Sequence, residues 1–186
     1  MMSSNPVADW SVPQLSVVLL LLLVVAVGAI GWIVSNDDPL RRDGLEPSSA
    51  LEWVREPDRA AAIVGAYHAH EGGVRVVLCG VLIDSFLFVP AYASFLAIAC
   101  FWAARTLAAP WSTSGLILGW GAITAGALDL IENAGILVEV ALKWSFAAPI
   151  TNLACLAKWT LVGWSGLFSL GTLVMQLRRV LAALVG

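Results

Sequence analysis

Four long apolar runs restrict the fold of this chain more than any other feature. Crossing the hydrocarbon core of a bilayer, about 30 Å thick, takes about 20 predominantly apolar residues in a helix. The first run extends from Val12 to Val34, with Leu19 to Leu23 unbroken. It predicts a span over residues 12–35, and three later runs predict spans over 74–104, 112–141 and 151–179. None has the dyad alternation of barrel strands, so each reads as a helix. Residues 1–11 and 180–186 are tails, and residues 36–73 form an extramembrane loop. The expected fold is all-α, an integral membrane four-helix bundle with a short surface-lying helical loop between its first two spans.

Composition agrees. The chain is 60% hydrophobic and 12% charged, whereas soluble domains are about half apolar and a quarter charged. Eight of the thirteen acids fall between Asp37 and Glu71 and, with Arg75 at the edge, so do five of the ten basic residues. No basic patch exists to suggest nucleic acid as a partner. The leader before the first run carries no Lys or Arg. That argues for a retained helix over a cleaved signal peptide, whose cut would fall near Ala29. The expected location is the plasma or inner membrane, as a multi-pass protein. Loop charge puts the long loop in the cytoplasm.

Within the loop, residues 36–44 read as an irregular linker. Ser49 and Glu52 have capping-box spacing, and Pro57-Asp58 marks the start of a second short helix. Pro90 should kink the second span. Thr151 or Asn152 is the expected cap of the fourth. Tryptophans 32, 102, 111 and 144 fall near span ends, where amphipathic rings favour the headgroup region.

Five ionisable or amide side chains lie well inside the spans: Asp84, Asp129, Glu132, Asn133 and Lys158. A charge at mid-bilayer costs about 2.5–3.5 kcal/mol on insertion scales, so such residues face the bundle interior and pair. Helix rise sets their depths. Asp84 lies about 16 Å beyond the long loop, Glu132 about 16 Å from Lys143, and Lys158 about 10 Å past Asn152. In a four-span topology these three reference points share one side of the membrane, so the groups reach one level. Gly115, Gly119, Ala122, Gly126, Asp129 and Asn133 form one stripe of the third span. Thr151, Cys155, Lys158, Ser165, Ser169, Thr172 and Gln176 form a stripe of the fourth. Gly80, Asp84, Phe88, Ala91 and Tyr92 share a side of the second. Small and polar faces of this kind pack against one another. Three carboxylates against one lysine cannot all stay ionised cheaply in low dielectric.

Asp84, Asp129 and Glu132 are therefore candidate acceptors or titrating groups, Asn133 and Tyr92 candidate orienting groups, and Lys158 the counter-ion. An Asp84–Lys158 ion pair is the simplest structural alternative. Other motifs carry less. His68, Ala69, His70 and Glu71 could offer metal ligands, but no second histidine pair completes a site, and a solvated turn explains them. Cys79, Cys100 and Cys155 lie in apolar helical stretches without disulfide or zinc spacing, as buried small hydrophobes do. No metal set or cofactor is expected.

The pattern Asp84, Leu87-Phe88, Tyr92, then Leu128-Asp129-Leu130-Ile131-Glu132-Asn133, then Lys158-Trp159 resembles a set of bacterial multi-span membrane proteins without an assigned activity. The segment Leu51 to Tyr67, with Pro57-Asp58-Arg59-Ala60 at its core, resembles the soluble helix before their second span. The resemblance covers about residues 49–170 and leaves the first span outside. It implies that the polar residues singled out by bilayer cost are those that form the group's pattern. Three functions stay open: a site for a lipid, a small amphipathic ligand or a proton; a structural subunit docking a membrane partner or a second copy, with the cluster as glue; and an intramembrane acid/base enzyme.

Overall fold

The computed structural model describes residues 5–185. Four of its helical segments, Val12–Arg42, Gly73–Thr106, Trp111–Leu142 and Ser145–Gln176, are long and apolar enough to cross a membrane. The chain is an all-α bundle, and no strand occurs among the described residues.

Helix α1 (Val12–Asn36) starts at a reciprocal cap. The Gln14 N–H donates to the Ser11 hydroxyl at 3.4 Å, and the Ser11 N–H donates to the Gln14 side chain at 2.9 Å. Pro13 sits in the first turn, where its missing N–H has no helical partner to lose. This segment has the highest mean hydropathy of the four, 3.1, yet only 6% of its apolar window is buried against the rest of the chain. Leu15, Ala26 and Ala29 are its contact points. The remainder of its surface is apolar side chain suited to lipid.

The loop is more ordered than its composition predicts. Residues 38–42, expected as irregular linker, form α2 (Asp38–Arg42), followed by α3 (Ala50–Trp53) and α4 (Pro57–Ala69). The reason is Asp37. Its buried carboxylate accepts the Ser48 N–H at 3.0 Å and the Ser48 hydroxyl at 2.8 Å, which closes the linker into a compact turn. Leu40, Leu51, Ile63, Val64 and Tyr67 then join Val77, Val81, Ile136 and Val140 of the long helices in one buried cluster. Each large aliphatic side chain so buried contributes about 1.5–3 kcal/mol. The loop thus caps one end of the bundle and shares its core.

The second span is α5 (Gly73–Ile83), a π-helical turn at Asp84–Phe88, and α6 (Val89–Thr106). Pro90 accounts for the break: it has no N–H for the carbonyl four residues back, and its ring crowds that carbonyl. The Val89 N–H reaches instead to the Asp84 carbonyl, five residues back. A wider turn of this kind is rare and, where it occurs, often lies at a functional site. It absorbs one residue, so Asp84 and Tyr92, eight apart in sequence, project as though seven apart.

Helix α7 (Trp111–Leu142) lies between α6 and α8 (Ala148–Val185). Its small-residue stripe is what allows this. A Cβ on Gly115 would stand 2.9 Å from the Cys100 carbonyl oxygen, and one on Gly126 would stand 2.9 Å from the Ala93 Cβ. Helix α8 begins three residues before the expected cap, because Pro149 in a first turn gives up no hydrogen bond. Thr151 lies inside that helix, and its hydroxyl is within donor reach of the Ala147 carbonyl at 3.2 Å and the Glu139 carboxylate at 3.0 Å. Trp32, Trp111 and Trp144 stand exposed near the ends of the long helices.

Candidate functional site

The site is assembled from helix periodicity. Asp129, Glu132 and Asn133 occupy positions i, i+3 and i+4 of α7, so their side chains share one face. That face meets α8 at Lys158 and the π turn at Asp84. The Lys158 ammonium lies 3.0 Å from Asp129 Oδ1 and 2.9 and 2.8 Å from the two oxygens of Glu132. Lys158, Asp129 and Glu132 are all at most 5% exposed. The second Asp129 oxygen accepts the Tyr92 hydroxyl at 2.6 Å. The Asn133 amide donates to Asp84 Oδ2 at 2.5 Å and to the Ser85 hydroxyl at 3.1 Å. All six residues singled out in the sequence therefore gather at one place, as two adjoining groups: Tyr92, Asp129, Lys158 and Glu132 in one, and Asp84 and Asn133 in the other.

The pairing differs from the simplest expectation. Lys158 takes Asp129 and Glu132, whereas Asp84 is held by the Asn133 amide. The π turn sets Asp84 on the α7 side of its helix, level with Asn133. Asp84 is only partly buried, unlike the acids around the ammonium. One carboxylate thus stands in the network without the lysine.

Glu52 is a further member that the sequence reading did not select. Its spacing from Ser49 suggested a capping box, but Ser49 makes no side-chain cap bond. Instead α3 packs against α8, and the Asn152 amide donates to the Glu52 carbonyl at 3.3 Å. From there the Glu52 carboxylate reaches to 4.0 Å from the Lys158 ammonium. Burial pushes its carboxyl up to about 7, and the neighbouring lysine only partly offsets this. Three acids now stand within 4.0 Å of one lysine, with Asp84 as a fourth nearby. Glu139 was missed too. It is fully buried between α7 and α8, with Thr151 as donor to one oxygen.

Glu52, Glu132 and Cys155 turn ligand-type atoms to within 4.8 Å of one another. Glu132 is already engaged at both oxygens by the ammonium, so a metal ion there would have to displace Lys158. The histidines serve the fold. His68 Nε2 lies 2.9 Å from the Val140 carbonyl in the last turn of α7, and His70 Nε2 lies 2.6 Å from Asp43. The three cysteines are free thiols, and two of them, Cys100 and Cys155, are buried.

The network forms the polar end of a cavity of about 450 Å³. Asp84, Tyr92, Asp129 and Lys158 line it together with Leu23, Ala26 and Ile30 of α1, and Asp37, Arg41 and Ser48 also border it. Volumes of about 300–1,000 Å³ are typical of small-molecule sites. No protein-family model, curated protein or solved structure matches this chain. What the fold and the site define is a helical membrane protein with a buried, lysine-centred acidic network beside an apolar cavity.

Proposed function

We propose that this protein, in a plasma or inner membrane, binds an amphipathic ligand with its head against the acidic network and its apolar part against α1. The observation that carries this reading is the two-sided lining of the cavity, carboxylates and a phenol facing Leu23, Ala26 and Ile30. A site used only for helix adhesion would have no reason to leave a volume of that size beside its charges, because packed interiors leave few voids larger than a water molecule. The charge balance selects the head. With Asp37, Glu52, Asp84 and Asp129 lining the cavity against Arg41 and Lys158, a head that brings positive charge or donates hydrogen bonds is favoured over an anionic one. Asp84, which makes no ion pair with Lys158, is its natural acceptor.

The test is a comparison of sign. Purified protein in mild detergent is titrated with an alkylammonium and with an alkyl sulfate of equal chain length. The expected result is saturable binding of the ammonium alone, weakened at least about tenfold, or 1.4 kcal/mol, by Asp84→Asn. Equal binding of both amphiphiles, or an Asp84→Asn variant that binds as wild type does, overturns the reading.

A further inference from the structure

A second cavity, of about 360 Å³, lies farther along α1, α6 and α8. Leu19, Ala99, Trp102 and Leu173 line it, and Phe95 and Leu96 line both it and the first cavity. The two volumes therefore meet at a shared wall on α6. Polar side chains do border the second cavity, but each makes a hydrogen bond within the protein. The Ser169 hydroxyl lies 3.3 Å from the Cys100 thiol, Thr172 donates to the Phe168 carbonyl at 2.9 Å, and the Gln176 amide donates to Thr106 at 2.7 Å. A space lined mainly by apolar side chains, whose few polar ones already bond within the protein, holds water poorly and hydrocarbon well.

Its length is informative. Along α8, Lys158 and Ser169 are eleven residues apart, about 16 Å at helical rise. That is close to half of the roughly 30 Å hydrocarbon core, the depth of one leaflet. The path thus runs from a charged end near Lys158 to the level of Ser169 in the second cavity, over about the depth of one leaflet.

Resting on the reading above, we infer that the ligand is a long-chain amphiphile, one of whose hydrocarbon chains passes from the acidic network over Phe95 and Leu96 into the second cavity. The small side chain of Ala99 opens that end, and Trp102 closes it. The chain lies in the groove among α1, α6 and α8.

The experiment uses two alkylammonium probes, one short and one long, each with a photoreactive diazirine at the chain terminus. Both are bound to the full-length protein and crosslinked. The long probe is expected to label Leu19, Ala99, Trp102 and Leu173, and the short one Phe95 and Leu96. Ala99→Trp should weaken the long probe at least about tenfold and leave the short one unchanged, and Leu173→Trp serves as the second blocking variant. Asp84-dependent binding with terminal label on lipid-facing Leu153 and Leu167, or equal effects of both blocking variants on both probes, overturns the inference and spares the binding site. Absence of Asp84-dependent binding by either probe overturns both.

Discussion

Replacing Lys158 with methionine separates two accounts of the buried network. Methionine keeps most of the stem volume, so the change removes the charge with little loss of packing. If the network is ordinary interhelical adhesion, the loss is that of two hydrogen bonds. At an average of about 0.6 kcal/mol for such bonds in a membrane bundle, that comes to about 1 kcal/mol. If the ammonium neutralises ionised carboxylates, its removal strands Asp129 and Glu132, which are 2% and 1% exposed. Breaking a buried ion pair in this way costs about 3–5 kcal/mol. The distances favour the second account, since the ammonium stands within 3.0 Å of both acids. Reversible unfolding in mixed micelles by a denaturing detergent, followed by far-ultraviolet circular dichroism, measures the difference. At about pH 7 the variant should lose about 3–5 kcal/mol. Acidification should recover part of the loss, because protonation relieves stranded carboxylates. Adding Asp129→Asn and Glu132→Gln should also restore stability. A loss near 1 kcal/mol, unchanged by pH and by the added substitutions, would refute the ionic account.

Glu52 supplies a pH dependence whose sign follows from its burial. Its carboxyl sits at about 7 where the ordinary value is 4.5, so docked α3 holds the proton more tightly than the free segment does. The stabilisation is full below pH 4.5 and is lost as pH rises through 7, by at most about 3 kcal/mol at 1.36 kcal/mol per pH unit. Labelling of Cys155, whose thiol lies within 4.8 Å of a Glu52 oxygen, should accelerate across this window more in wild type than in Glu52→Gln, and parallel pH profiles would count against α3 undocking. Gly119→Ala should cost about 1–3 kcal/mol by overpacking, because the added Cβ would meet the buried ring of Phe101. The same unfolding measurement checks it, and a neutral result would mean that α6 and α7 approach less closely than described.

Most of the bundle was legible because hydrocarbon imposes a single rule on every residue in it. Run length marks the spans, and the expense of bare charge picks out Asp84, Asp129, Glu132, Asn133 and Lys158 by mere presence. Helix rise adds their common depth. That Asp84 would not be the partner of Lys158 was not legible, because its position depends on the rotation of α5 and α6 about the π turn. Helical spacing already puts Asp84 and Tyr92 on one side, and Pro90 announces a kink, but neither shows that the kink takes the form of a wide turn. The start of α8 was misjudged for a similar reason, since a proline that ends helices elsewhere is accepted in a first turn.

Glu52 and Glu139 show where the rule stops. It detects a charge only if the sequence already places that charge in the bilayer. Glu139 lies in the last turn of α7, at a depth where water is usually within reach, and its burial comes from Thr151 of the neighbouring helix. Glu52 belongs to a loop crowded with acids, where one carboxylate looks like the next. Only the docking of α3 onto α8 separates it, and that docking rests on side chains such as Leu51, which is fully buried. The apolar residues of the loop therefore carry information that its charges conceal. They bring one acid to the lysine and leave Glu46, Glu56 and Asp58 outside the network. The loop is thus a structural part of the site, and perturbing its core at Leu51 should disturb the environment of Lys158 as surely as a change in the spans.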